Sequence, residues 1–290
     1  MCILFFQLND KGECGTYRLV LANNRDEYWA RPTSTAAYWG ENDNCLSSLD
    51  QEPGREGGTW MGINKQGKIG VLLNILGENL PNRKGRGFLA RDFIASNTSA
   101  ETFLQNLSAD VVTSEYNGFH LVLLEAGGQH PSAMYLTESS EHQRRGPQRL
   151  SLGDSHAFGN STVDKPWQKV EQGQPRFQKI IEENRSPESK NKLVDSLLDF
   201  LNDKQQYTTD SVLGGTCREL GYSTVIKDEI SANRVWSPSI KCGTRTNTVI
   251  LVDSDGRCDY IERSLVTPVD ENDPHTTTET FSFNIDTTST

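Results

Sequence analysis

The chain has 290 residues, a formal net charge of −10 and a pI near 5.1, with a 34% hydrophobic share that can supply a real core. The acidic balance opposes binding to a phosphate backbone, which excludes nucleic acid as an expected partner. Six scattered cysteines without a CxxC pair predict a reduced, cytoplasmic protein. The opening apolar run stops at Gln7, so neither secretion nor a transmembrane segment is expected.

Two apolar runs, at 2–8 and 17–23, open the chain and predict neighbouring strands joined by a turn near Lys11 and Gly12. A second hairpin is predicted around residues 64–67, where an Asn-Lys-Gln-Gly stretch has turn chemistry. Apolar residues spaced three and four apart then predict helices in RGFLARDFIA and AETFLQNL. Strands are expected to return in FHLVLLEA and SAMYLTE.

In the second half of the chain, helices are predicted first and strands after them. A helical pair opened by Pro166 is predicted through Asp203, and a late hairpin is predicted to turn on residues 253–256. ETFSFNI alternates as a last strand, and the threonine-rich stretches beside it are interpreted as linker and tail. Strands in hairpins and helices in pairs favour antiparallel sheets with helical layers outside them.

Cys2 stands at the predicted start of the first strand. A thiolate is a strong nucleophile but needs a base or a positive neighbour. Removal of Met1 would free an α-amine with a pKa of ~8, so that nucleophile and base would share one residue. The structural alternative is a small apolar side chain at the start of a buried strand.

The stretch LANNRDEYWARP ends the second apolar run in five polar residues. If the first two strands pair, this cluster lies near Cys2, where Arg25 would favour a thiolate and Asp26 would orient an ammonium group. A solvated turn with internal ion pairing is the alternative interpretation.

The motifs MCILFF, LANNRDE, EGGTWMGIN and GTRTNTVILVD stand in an order that resembles the Transport and Golgi organisation 2 family, also called the NRDE-domain family. The resemblance runs from Met1 to about Ser264. That family is similar to cysteine-type N-terminal nucleophile hydrolases, which implies an α+β fold, a four-layer αββα sandwich. We therefore expect one domain over residues 1–286 and a short tail at 287–290.

The similarity to those hydrolases also implies a catalytic set. In this set Cys2 would be the nucleophile, and Arg25 and Asp26 would follow the second strand. Asn74 and Asn160 would lie near an oxyanion, and Arg245 would be the late arginine. The alternatives are that both asparagines close turns and that Arg245 pairs with Glu262.

The family's association with haem and acyl lipids implies a ligand pocket with an aromatic mouth that includes Phe88. Its predicted ligand-binding residues are Asn24, Glu27, Tyr28, Trp29, Trp60 and Arg86. An arginine would hold a propionate or a phosphate. No metal site is expected, although Cys2 can serve as an axial ligand to haem iron.

These implications predict a cytosolic trafficking factor that handles haem, acyl lipid or acyl-CoA and acts in Golgi organisation and secretion. No cofactor is required, and haem would be a cargo. Transient contact with Golgi, reticulum or mitochondrial membranes is expected. The alternatives are a Cys2-dependent amidohydrolase or acyl-CoA thioesterase, and an interaction protein in which Cys2 has no role; the resemblance does not imply turnover.

Overall fold

The computed structural model describes residues 1–10, 16–109, 115–139 and 145–287. Its strands, in chain order, are β1 (Cys2–Leu8), β2 (Tyr17–Tyr28), β3 (Ala37–Trp39), β4 (Cys45–Ser47), β5 (Met61–Asn64), β6 (Lys68–Asn74), β7 (Phe119–Glu125), β8 (Ser132–Glu138), β9 (Arg145–Arg149), β10 (Ser155–Phe158), β11 (Trp236–Ser237), β12 (Cys242–Asp253), β13 (Arg257–Leu265) and β14 (Thr276–Asn284). Its helices are α1 (Gly87–Ala95), α2 (Ala100–Ala109), α3 (Gln168–Glu183), α4 (Lys190–Leu201), α5 (Ser211–Glu219) and α6 (Thr224–Ile230).

The strands form two antiparallel sheets. The first has the order β10-β1-β2-β12-β13-β14, with β11 added to β12. The second follows the chain from β3 to β9 except for the helices between β6 and β7. Because hairpins join most neighbours, no crossover connection of the parallel type is needed.

The two sheets pack face to face. Along β1, Leu4 and Phe6 point into the layer between the sheets, whereas Ile3 and Phe5 point to the opposite face, as the two-residue period of a strand requires. Helices α3 and α4 cover that outer face, and α1 and α2 cover the second sheet. The predicted four-layer αββα sandwich is therefore confirmed.

A glycine lets α3 approach the first sheet closely. A Cβ atom on Gly173 would lie 2.6 Å from the ring of Phe5, which is too close for any larger residue. The ring of Phe5 stacks on that of Phe177 with centroids 5.7 Å apart, so the helix is held over the strand that begins with Cys2.

The second strand is longer than predicted. It continues through the Asn-Arg-Asp-Glu signature to Tyr28, because β12 pairs with it along this whole stretch, with Arg25 opposite Thr246 and Asp26 opposite Thr244. The ladder satisfies the backbone groups, and polar side chains therefore do not end the strand. The signature lies inside the sheet and not in a solvated turn.

Other boundaries also differ. Pro166 precedes α3 and is not in its first turn. The threonines at 276–278 belong to β14, because β13 pairs with them, and are not a linker. Helices α5 and α6 were not predicted, and the predicted turn at Lys11 and Gly12 lies outside the described residues. Among the described residues, no helix has the length and apolar character needed to cross a bilayer.

Candidate functional site

The sheet brings Cys2 beside the signature. Cys2 pairs with Arg25 across β1 and β2, so the two side chains share the face that looks between the sheets. Asn24 and Asp26 alternate with Arg25 and project to the helix-covered face. The prediction that Cys2 and this cluster are neighbours is confirmed.

A cavity of about 200 Å³ opens where Cys2 and the end of β2 face the N-terminus of α1. Its wall is rich in charged groups: Arg25, Glu27, Arg31, Asp50, Arg55, Lys84 and Arg86. Asp26 also borders the cavity, although its carboxylate bonds to Thr244. Trp60 and Phe88 supply its aromatic surface, and Asn74 lies at its edge. We call this space the Cys2 cavity.

Asn160 joins the two sheets at this point. Its Oδ1 accepts a hydrogen bond from the backbone nitrogen of Cys2 at 2.8 Å, and its Nδ2 donates to the carbonyl of Asn74 at 2.6 Å. His120 in turn holds the carbonyl of Ser161 through Nε2 at 2.7 Å. The loop that carries Asn160 is thereby anchored to the second sheet.

The Cys2 side chain is buried. Burial raises the pKa of its thiol, while the Met1 ammonium, a backbone hydrogen bond from Asp26 and the Arg25 guanidinium oppose that rise without cancelling it. Arg25 lowers the pKa of the thiol, as predicted, but desolvation raises it by more. With Met1 in place the group is a neutral thiol near neutral pH.

The Met1 ammonium donates a hydrogen bond to the carbonyl of Asp26 at 2.8 Å. Burial lowers the pKa of this ammonium, but Cys2, Asp26, Cys242 and Glu27 together raise it by more. The Asp26 carboxylate itself has one bonded oxygen, which accepts from the Thr244 hydroxyl at 2.6 Å. Its Oδ2 is buried without a hydrogen-bond partner.

Arg25 is a buried cation in the cavity wall. Its guanidinium carbon lies 4.1 Å from the centroid of the Trp60 ring, and its Nη1 donates to the Thr33 hydroxyl at 3.0 Å. Glu27 is 3.9 Å from its Nη2. Burial lowers the pKa of Arg25, yet a guanidinium titrates so high that it stays charged.

The remaining cations divide into paired and unpaired groups. Arg31 forms a two-nitrogen contact with Asp50, the shorter bond being 2.6 Å, and Lys84 pairs with Glu115 at 2.6 Å. Arg55 donates to the carbonyls of Gly54 and Arg83, and Arg86 donates to the carbonyl of Gly118 at 2.7 Å.

Neither Arg55 nor Arg86 forms an ion pair with a carboxylate of the described residues. Burial lowers the pKa of the half-buried Arg86 to about 10, and the nearby cations Arg31 and Arg55 act in the same direction. A buried charge without a partner is costly, and an anion placed beside it would offset that cost.

Three residues predicted to bind ligand do not line the Cys2 cavity, and their ligand-binding roles stay predictions. Asn24 is 0% exposed and bonds to the carbonyls of Leu201 and Asn233 on the helix side, because strand alternation turns it away. Tyr28 is 55% exposed, and Trp29 stacks on Trp236 at 4.8 Å. Both lie past the point where β2 borders the cavity.

Arg245 occupies a different place from the one expected of a catalytic arginine. It donates through Nη1 to the carbonyls of Arg31 and Tyr28 and does not line the cavity. It therefore fixes the turn after β2. The alternative pairing with Glu262 is also absent, since that carboxylate accepts from the hydroxyls of Ser48 and Tyr260.

Three residues of the cavity wall were not indicated by sequence patterns, namely Arg31, Asp50 and Arg55. Arg55 belongs to the loop EPGREGG, whose Pro and Gly residues are typical of a turn and carry no signal for a binding site. The loop reaches the site because Gly58 and Gly87 pass closely, and the Thr59 backbone nitrogen donates to the Gly87 carbonyl at 3.1 Å. Within the part of the chain that the structure describes, no cluster of His, Cys, Asp and Glu fits a metal ion.

A family model described as Transport and Golgi organisation 2 matches residues 1–267. The chain belongs to this family. A Bos taurus relative named Transport and Golgi organization protein 2 homolog is 36% identical, covering 92% of this chain and 94% of its own. The Homo sapiens relative of that name is 34% identical, with 98% and 99% covered.

Solved structures give a weaker similarity. A variant of the conjugated bile acid hydrolase from Clostridium perfringens aligns with 100% of this chain and 98% of its own, at 9% identity and a TM-score of 0.41. At this level of similarity the hydrolase activity is a property of that protein alone. The roles of Cys2, Arg25, Asp26, Asn74, Asn160 and Arg245 stay predictions for this member of the Transport and Golgi organisation 2 family.

Proposed function

We propose that this protein is a trafficking factor that binds an anionic acyl lipid, with acyl-CoA as the ligand class, in the Cys2 cavity. The observation that carries the proposal is the pair of guanidiniums, Arg55 and Arg86, that lie in the cavity wall without carboxylate partners. Guanidiniums bind phosphate and carboxylate oxygens in two-nitrogen geometry. An anionic group is the ligand that this wall would favour.

The size of the cavity limits what it can enclose. Its volume of about 200 Å³ is below the roughly 300–1,000 Å³ of pockets that bury a drug-sized ligand. It suits one charged end of a ligand, with the remainder outside. This favours an extended acyl compound over a fully enclosed porphyrin, so haem is the second candidate cargo, with its propionates at the arginines and Cys2 as an axial ligand.

The cellular part of the proposal is a role in Golgi organisation and secretion, with the protein in the cytoplasm and in transient contact with organelle membranes. The names of the Bos taurus and Homo sapiens relatives support it. Fractionation of cells that express the tagged protein would test it. Recovery with Golgi membranes is expected, and a fully soluble distribution that Golgi disruption leaves unchanged would contradict it.

Ligand binding is tested by calorimetric titration of the full-length protein with palmitoyl-CoA and, separately, by absorbance titration with haem. Arg86→Met is expected to weaken palmitoyl-CoA binding about tenfold or more, because it removes a charge-assisted contact. Arg91→Met is the matched control, since Arg91 lies on α1 outside the cavity wall. Equal affinity in wild type and Arg86→Met, or no binding of palmitoyl-CoA, would contradict the acyl-CoA proposal.

A second candidate is cysteine acyl transfer. The contact between the Cys2 backbone nitrogen and Asn160 favours it, because removal of Met1 would turn that nitrogen into an amine already held beside the thiol. The thiol would attack the thioester carbonyl, coenzyme A would leave as a thiol with the proton, and water would release the acid. Intact mass after incubation with palmitoyl-CoA tests this: an acyl adduct that Cys2→Ala lacks supports transfer, and no adduct on protein without Met1 contradicts it.

A further inference from the structure

A buried lysine stands behind the Cys2 site without an assigned role. Lys169 is 1% exposed and belongs to the first turn of α3. Its Nζ donates to the carbonyls of Ile230 and Ala232 at 3.0 and 3.1 Å. A cation at a helix N-terminus opposes the helix dipole, and burial of an ammonium is costly. The helix itself therefore gains nothing from this residue.

Lys169 and Asp26 reach the same segment of the chain: Lys169 bonds to the Ile230 and Ala232 carbonyls, and Asp26 accepts from the Thr244 hydroxyl, which accepts in turn from the Val235 nitrogen. The two nearby acids differ in how well they are hydrogen-bonded. Asp210 already accepts backbone hydrogen bonds from Gln168 at 2.7 Å and from Leu213 at 2.9 Å. Asp26 keeps its buried Oδ2 without a hydrogen-bond partner. A buried carboxylate in that state needs a countercharge close by.

We propose that Lys169 is a positioning residue of the Cys2 site, whose buried ammonium acts with the Met1 ammonium as a countercharge of the Asp26 carboxylate. Asp26 is then held in its charged form next to Met1 and Cys2, and its effect on the thiol is balanced from the helix side as well as from the N-terminus. The inference concerns the site proposed above, and its readout uses no ligand, so failure of the palmitoyl-CoA titration leaves it intact.

The electrostatics agree with this arrangement. Burial lowers the pKa of Lys169, and among the acids that raise it again Asp26 acts most, before Cys2 and Asp210. Burial also raises the pKa of Asp26, which the Met1 ammonium and then Lys169 lower, while Glu27 raises it. Lys169 and the N-terminal ammonium are thus the cations that act on Asp26.

The test is the rate at which iodoacetamide alkylates Cys2 in the full-length protein, measured from about pH 6 to about pH 10 by mass of the N-terminal peptide. Lys169→Met should raise the apparent pKa of the thiol by about one unit, because it removes one of the two cations that act on Asp26, and slow alkylation about tenfold below that pKa. Lys179→Met, also on α3 but with a side chain 75% exposed, is the control and should match the wild type.

The decisive variant removes both charges. Asp26→Asn combined with Lys169→Met should restore alkylation to within about twofold of wild type, since the unbalanced anion is gone. Lys169→Arg should keep the wild-type profile because it keeps the charge. An unchanged profile in Lys169→Met, or no restoration in the double variant, would overturn the proposal.

Folding provides a second readout. If Lys169→Met fails to fold while the double variant folds, the lone buried carboxylate is the cause, and the proposal is supported. If both fail to fold, the contacts to Ile230 and Ala232 explain the lysine, and the proposal is overturned.

Discussion

The two faces of β2 carry neighbouring residues in contrasting surroundings. On the cavity face, Arg25 has an aromatic ring, a hydroxyl and a distant carboxylate, so part of its charge remains free for a ligand. On the helix face, the Asn24 side chain donates hydrogen bonds to two carbonyls, and its Oδ1 accepts one from Asn247 at 2.7 Å. One signature therefore combines residues suited to binding with residues suited to folding.

Side chains on the helix face also hydrogen-bond to one segment of the chain, residues 230–235. Lys169 donates to the Ile230 and Ala232 carbonyls, and Asn24 donates to the Asn233 carbonyl. The Thr244 hydroxyl accepts from the Val235 nitrogen. Satisfied buried polar networks of this kind fix a unique arrangement. The contrast teaches that loss of a signature residue can abolish function by two routes, and that stability must be measured beside affinity.

The largest expected effect is on the helix face. Asn24→Ala should lower the free energy of unfolding by about 3–4 kcal/mol, because it leaves two buried carbonyls and the Asn247 amide without partners. Urea denaturation measures this. Asn74→Ala, at an exposed side chain, is the control and should change stability by less than about 0.5 kcal/mol. A loss as small as the control's would mean that the helix face is not the structural one.

The second effect is a pH dependence of stability that comes from His120, on β7 of the second sheet. Burial lowers the pKa of His120 to about 4, compared with about 6.5 in the unfolded chain. The unfolded state therefore binds the proton first, and His120 costs stability as pH falls from about 6.5 to about 4, by about 3 kcal/mol in all. The contribution is fully present above pH 6.5.

His120→Gln isolates that contribution, because its amide can still donate to the Ser161 carbonyl without titrating. The difference in unfolding free energy between wild type and this variant should change across that pH range. His156→Gln, at a half-buried position on β10 where Nε2 contacts the Ser151 carbonyl, is the control. Parallel curves for wild type and His120→Gln would show that His120 titrates normally in the folded protein.

The third effect belongs to the cavity face. Arg25→Lys keeps the charge but loses the planar stack on Trp60 and the bond to Thr33, so palmitoyl-CoA affinity should fall about tenfold. Its stability should change by only about 1 kcal/mol. Calorimetry and urea denaturation on the same samples provide the two values. A stability loss as large as that of Asn24→Ala, with unchanged affinity, would remove the distinction between the faces.

Local patterns predicted much of this arrangement. The hairpin of β1 and β2 follows from two apolar runs, and it alone brings Cys2 to Arg25. The sequence does not predict which face Asn24 occupies, because polar residues suggest the end of a strand. Pairing with β12 extends the strand through Asn24 and fixes its face. Arg55 and Arg86 lie in the same cavity wall because their two loops pass closely at Gly58 and Gly87. No local sequence pattern predicts a contact between loops that are distant in the chain.

The smallest effect tests whether the electrostatic potential in the Cys2 cavity favours an anion. Glu27 lies 3.9 Å from Arg25 and 3.6 Å from Arg31, with a partly exposed side chain, so its ion pairs add little to stability. Glu27→Gln should leave the free energy of unfolding within about 0.5 kcal/mol of wild type. It removes a negative charge from the wall, and palmitoyl-CoA should therefore bind about two- to threefold more tightly at low salt. Weaker binding would mean that Glu27 orients the arginines more than it neutralises them, and tighter binding that fades at high salt would identify the cavity as an anion site.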